Sequence, residues 1–135
     1  MSALWQVQRA IYTKLTADEA LMSVVSGVFD EPPEDRRLPY VTIGEVTETP
    51  WDTHDKRGFE AMVTINAWSG YQGNREAAEI LAHVDRILHR RPLPVAGWTV
   101  ISITHTADGV RKVQSNFMPN VRQGQARYRV RVEQE

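Results

Sequence analysis

The 135-residue chain contains no cysteine. Disulfides, thiolate metal sites and a cysteine nucleophile are thereby excluded, and the composition suits a reducing cytoplasm. No run of about eighteen apolar residues occurs, so no helix is expected to span a membrane and no membrane partner is expected. Residues Met1 to Ala10 include Trp5, Gln6, Gln8 and Arg9 and lack the continuous apolar core of a signal peptide. The net charge is only −1, which argues against a general affinity for nucleic acid. Low hydrophobicity with high net charge, the signature of disorder, is also missing: hydrophobic residues make up 41% and charged residues 24%. What remains is an ordinary globular composition, in a chain long enough for one core and one domain over residues 1–135.

The charges are unevenly placed. Residues 18–60 hold eleven acids and four bases, a net −7, whereas residues 86–131 hold nine bases and one acid, a net +8. Two arrangements are compatible with this. Either the halves form surfaces of opposite sign that meet partners or neighbouring copies, or they interleave and cancel.

Hydrophobic periodicity predicts the elements. Leu4, Val7, Ile11 and Leu15 line one face of a first helix, with Ser2 as its cap. A short helical turn is expected at 18–25, capped by Thr16, and Val28-Phe29 starts a brief extended piece. Tyr40 to Glu48 and Phe59 to Trp68 read as strands. In the second, Phe59, Ala61, Val63, Ile65 and Ala67 form the core-facing set. Asn74 caps the clearest helix, in which Ala77, Ile80, Leu81, Val84, Ile87 and Leu88 follow the helical period. Arg90 and Arg91 suit its C-terminal dipole and Pro92 ends it. Val95 to Thr106 is a third strand, with Ile101 and Ile103 on one face and Trp98 and Val100 on the other. Asp108-Gly109 signals a turn, and 107–124 reads as a long loop or arm. Gln125 to Glu133 is the last strand. The expected fold is α+β: a four-stranded, mainly antiparallel sheet with helices on one face, in the order α-β-β-α-β-β.

Sites for chemistry are scarce. His83 and His89 lie six apart, whereas a helical metal pair needs three or four, so no metal site is expected. Gly70-x-x-Gly73 lacks the Lys-Ser/Thr of a phosphate loop and reads as a plain strand-to-helix turn. No serine sits in a nucleophile elbow, and the carboxylates of residues 30–35 lie in a polar loop. No catalytic residue and no cofactor are expected. The strongest candidate is the row Arg127, Arg129 and Arg131. Its period of two places all three on one sheet face, with Arg122 and the Arg111-Lys112 pair upstream. Such a row binds carboxylates or phosphates of a neighbouring subunit, or is simply a solvated face. Phe117 and Met118, apolar residues in the expected loop, suit an arm that docks on a partner, or else fold back on their own domain.

The order of these segments resembles a known family. The residues that carry the likeness are Ile11-Tyr12-x-x-Leu15-Thr16-Ala17-Asp18, Val28-Phe29-Asp30-x-x-Pro33 and Leu38-Pro39-Tyr40-Val41-x-Ile43-Gly44. They continue with Ile65-x-Ala67-Trp68-Ser69 leading into Glu76-Ala77, then Leu93-Pro94 before a strand, and a closing Arg-Tyr-Arg-Val strand. In order and spacing the chain is similar to the tail-completion, or tail-terminator, proteins of long-tailed bacteriophages and gene-transfer particles. The resemblance implies a structural, non-enzymatic subunit of a homo-oligomeric ring, six copies to the ring. That ring caps the tail tube protein at the head-proximal neck of the virion and joins it to the head-tail connector or stopper, with transient, non-specific DNA in the lumen and assembly in the host cytoplasm. Arg127, Arg129, Arg131 and Arg122 would then lie at a subunit interface or line the lumen. The stretch from Val110 to Gln123 is longer than the usual link of such proteins. A head-side connector or stopper, or a small regulatory ligand-binding domain, are the competing readings.

Overall fold

The first helix, α1 (Leu4–Thr16), buries Val7, Ile11 and Leu15 and leaves Trp5 and Tyr12 in solvent. Its apolar residues recur every three to four positions, so one face turns inward. The computed structural model describes residues 3–31, 37–52, 54–71, 73–113 and 121–135. The expected cap Ser2 lies outside them, and Ala3 occupies the N-cap position without a side-chain bond. One turn, α2 (Glu19–Met22), follows. Its cap is Asp18, whose carboxylate accepts from the Leu21 N–H at 2.9 Å. Thr16 is not that cap, because its hydroxyl donates back to the Tyr12 carbonyl at 2.8 Å.

The sheet has five strands: β1 (Val28–Phe29), β2 (Tyr40–Pro50), β3 (Gly58–Ser69), β4 (Trp98–Lys112) and β5 (Arg122–Gln134). Their spatial order is β1-β2-β3-β5-β4. β1 pairs parallel with β2 through Val41 and Thr42, and the other three pairings are antiparallel. The sheet is therefore mixed and five-stranded rather than four-stranded. Two residues are too few to show an alternation, so the sequence marks β1 only as an extended piece. The expected element order also gains α2 and β1.

A third helix, α3 (Arg75–Leu88), buries its whole predicted apolar set. It packs with α1 against the sheet face formed by Ala61, Val63, Ile65, Ala67, Ala126, Tyr128, Val130 and Val132. Gly124 marks a close approach: a Cβ there would stand 3.0 Å from Leu81 Cδ1 and 3.3 Å from Ala77 Cβ. Asn74 precedes α3 without capping it through its side chain. Arg86 of α3 grips Asp18 with two bonds, 3.0 and 2.9 Å, tying α3 to the start of α2.

β4 differs most from expectation. It begins at Trp98 rather than Val95 and runs through Asp108-Gly109, which pair with Ala126 and Gln125 instead of turning. Long-range pairing with β5 supplies partners for those peptide groups and overrides the local turn preference. Of the stretch 107–124 expected as a loop or arm, 107–112 belong to β4 and 122–124 to β5, the Val113 N–H donates to the Val121 carbonyl at 2.8 Å, and residues 114–120 lie outside the described residues. The register also shifts between Val100 and Ser102 and between His105 and Ala107. The extra residue Ile101 is 47% exposed, while Trp98 and Ile103 are buried together, with Val100 packed against the same core. A bulge resets the alternation, so Ile101 and Ile103 do not share a face.

β4 is an edge strand, and its middle is covered. Beyond α3, Arg90 adopts a positive φ of 54°, and its N–H donates to the Ile103 carbonyl at 2.9 Å. His89 Nδ1 accepts from the His105 N–H at 3.0 Å.

Candidate functional site

Alternation along β5 sends its apolar residues to the helices and Arg127, Arg129 and Arg131 to the opposite, helix-free face. This is the arrangement the sequence predicts. On that face they stand between Thr64, Met62 and Glu60 of β3 and Ala107, Thr104 and Ser102 of β4. The three side chains are not equivalent. Arg131 is engaged within the subunit, since its Nε donates to Glu60 at 3.0 Å and its guanidinium lies 5.2 Å from the Trp51 ring centre. Arg129 is half-buried, and its Nε is closed off from solvent with no hydrogen-bond partner among the described residues. Arg127 is exposed, and no carboxylate among the described residues forms an ion pair with either Arg127 or Arg129. A guanidinium offers five donors in a planar fork, so two of the three are free to receive carboxylates or phosphates from outside.

The same face continues into a polar network. Arg111 donates from Nε and Nη2 to Gln123 Oε1 at 3.1 and 2.8 Å, and Gln123 Nε2 donates to Asn66 Oδ1 at 3.0 Å. Asn66 and Gln123 are buried and satisfied, which fixes β3, β5 and β4 in one register. The continuing polar alternation at Gln123 and Gln125 is the trace of this network in the sequence.

Arg122 does not belong to the row. It has the opposite parity along β5 and reaches the start of α3, where Nη1 meets Asn74 Oδ1 at 3.4 Å. Phe117 and Met118 lie outside the described residues.

On the helix side, the buried Tyr128 hydroxyl donates to Asp85 at 3.1 Å. Burial, reinforced by the neighbouring Asp85 charge, holds the phenol well above its ordinary pKa. His105 lies between Asp85 at 4.0 Å and Asp108 at 3.7 Å. These groups join α3 to β4 and β5. Among the described residues no cluster of His, Asp and Glu is arranged to hold a metal ion, and no helix is long and apolar enough to cross a membrane. Among the described residues the exposed large apolar side chains are Trp5 and Tyr12 on α1, Val24, Tyr71, and Ile101 in the β4 bulge. The outstanding features of the molecule are thus surfaces: a helix-free sheet face with two unpaired arginines, a partly covered sheet edge and an aromatic helix stripe.

Comparison with known proteins agrees with a role built on surfaces. The family model described as "Tail completion protein gp17" matches residues 9–133. The tail completion protein gp17 of Bacillus phage SPP1 is 32% identical over 114 residues, 78% of this chain and 84% of that protein. Among solved structures, a chain in the virion of a native gene transfer agent particle superimposes with a TM-score of 0.84 at 23% identity, over 94% of both chains. The structure of SPP1 gp17 gives a TM-score of 0.62 at 24% identity, over 98% of this chain and 91% of that one. The sequence alignment carries the kinship and the superpositions carry the fold. The chain belongs to the tail completion protein gp17 family.

Proposed function

We propose that this chain is a structural subunit, not an enzyme, that forms a six-membered ring on the head-proximal end of the tail of a phage or gene-transfer particle. The ring terminates the tail tube and joins it to the head-side connector, and DNA passes through its lumen. Family membership over nearly the whole chain carries this reading. The helix-free face supports it, because Arg127 and Arg129 present unspent donors on a rigid central strand, where they suit either a subunit interface or the lumen. In the lumen they would contact phosphates without reading sequence. The ring is assembled in the host cytoplasm and remains in the virion neck.

Electron microscopy of particles containing the chain tests the proposal. The expected result is a six-fold ring at the head-proximal end of the tail, into whose density the five-stranded sheet fits. Density for the chain on the head side of the joint, or absence of the chain from the particle, would overturn it.

A further inference from the structure

Asp108-Gly109 reads as a turn in the sequence but is paired strand in the structure, so its glycine needs another reason. Gly109 does not adopt a positive φ, and a Cβ built on it would stand in open space among the described residues. Neither backbone geometry nor crowding within the subunit calls for glycine there. Within a strand glycine weakens the fold, and it often marks a place where a ligand or another chain comes close.

What Gly109 leaves is a hollow of about 290 Å³ on the helix-free face. Ala107 and Gly109 put little or no side chain into it, opposite Arg127 and Gln125 of β5. Arg127 lines one end and Arg111, paired with Gln123, lines the other. The rungs of the two arginines are four residues apart, about 14 Å along the strand, a gap that two long guanidinium side chains can close from both ends.

The Arg111 end is fixed before anything binds. Gln123 and Asn66 are only 7% and 8% exposed. Gln123 Nε2 donates to Asn66 Oδ1 at 3.0 Å, and Gln123 Oε1 accepts from Arg111 Nε and Nη2 at 3.1 and 2.8 Å. Buried amides thus orient the guanidinium, and the rest of its fork is left over for a ligand. The carboxylate nearest in sequence, Asp108, has the opposite parity, and its Oδ2 lies 3.7 Å from His105 Nε2 on the helix side. Neither Arg111 nor Arg127 forms an ion pair among the described residues. The hollow therefore holds two positive charges and lacks a facing anion among those residues.

We infer that this hollow is a receptor for one carboxylate, an aspartate or glutamate side chain presented by an adjoining polypeptide of the particle. The inference rests on the reading of the chain as a structural subunit of a particle, and it puts Arg111 and Arg127 at a protein interface rather than in the lumen. Charge complementarity calls for an anion. The fixed geometry selects which one. DNA in transit slides past charges that hold no phosphate in particular, whereas a locked fork in a recess suits a group that stays in place, as a carboxylate does on arginine.

Two variants test the receptor. Gly109→Glu supplies the carboxylate from within, between Arg111 and Arg127. The isolated subunit should keep or raise its melting temperature, while incorporation into particles falls by about tenfold or more because the partner's carboxylate is displaced. Arg127→Lys keeps the positive charge and makes it reactive. A zero-length carbodiimide cross-linker, applied to particles that carry this variant, should join the introduced lysine to an aspartate or glutamate. The product should run as two joined chains on a denaturing gel, and mass spectrometry should identify the linked peptides. Incorporation of Gly109→Glu at the parent level, with no joined chains from Arg127→Lys, would overturn the inference. A loss seen only in DNA-filled particles, and not in tails assembled without DNA, would also overturn it, since phosphate would then be the occupant. If Gly109→Glu does not fold, the link decides alone: its presence supports the receptor and its absence overturns it. Joined chains in particles whose micrographs show no ring would overturn the ring reading and leave the receptor standing. Absence of the chain from particles would overturn both.

Discussion

Arg129 sets a cost in stability against the assembly role proposed for it. Its aliphatic stem packs on the sheet while its Nε is shielded without a partner. An unmade hydrogen bond of this kind costs on the order of 1 kcal/mol or more. Arg129→Met keeps the packing stem and removes the orphan donor. The expected result is an isolated subunit as stable as the original, or more stable by about 1 kcal/mol in urea denaturation. Arg129→Glu should in contrast impair ring formation or tail joining. Normal rings and a normal yield of infectious particles from the glutamate variant would remove the row from the assembly mechanism. Asp18 makes a separate prediction. The Arg86 side chain, helped by the Leu21 N–H, lowers its pKa to about 2 from the usual value of 3.8. A carboxylate with a depressed folded pKa contributes stability that is fully present above its unfolded pKa and is lost as pH falls through the folded one. Unfolding measured from pH 5 down to pH 2 should show a loss of stability between about 4 and about 2 that is absent in Asp18→Asn, a variant less stable at neutral pH.

At the scale of elements, the contact of α3 with β5 depends on a missing side chain. Gly124 lies under Leu81 and Ala77 with no room for a Cβ unless they move. Gly124→Val should push α3 off the sheet and cost about 2 kcal/mol, read as a lower urea midpoint with an unchanged slope. A value within error of the parent would mean that the helix moves aside freely. The elements also differ in how legible they are. β3, β5 and α3 keep one unbroken period through their length, so their buried faces follow from the residues alone. β4 contains two register shifts, each of which inverts the alternation, and nothing in Ile101 or Thr106 announces an extra residue. Its extension through Asp108-Gly109 is decided by β5, a partner distant in sequence. The arginine row is legible for the same reason as β5. Arg122 lies close to the row in sequence, and only its parity along β5 sets it apart. The Arg111–Gln123–Asn66 network draws on three strands and has no local signal.

At the scale of the whole molecule, β1 and β2 at one side of the sheet come from the acidic segment, and β4 and most of β5 at the other come from the basic one. An assembly held by exposed charges of opposite sign weakens as salt shortens the screening length, from about 10 Å at 0.1 M to about 3 Å at 1 M. Sedimentation of the purified chain, or its retention on particles, should therefore show looser association as salt rises. Tighter association at high salt would shift the weight to the apolar stripe of Trp5 and Tyr12 on α1.

The covering of β4 by His89 and Arg90 bears on the life of the subunit before assembly. A fifteen-residue edge strand is a template on which foreign strands can stack, and endless stacking ends in fibres. Here two backbone positions at the strand's centre are already occupied, and two bulges break its straightness. The isolated subunit can therefore resist amyloid-like growth along this edge while the exposed side chains of β4 stay accessible.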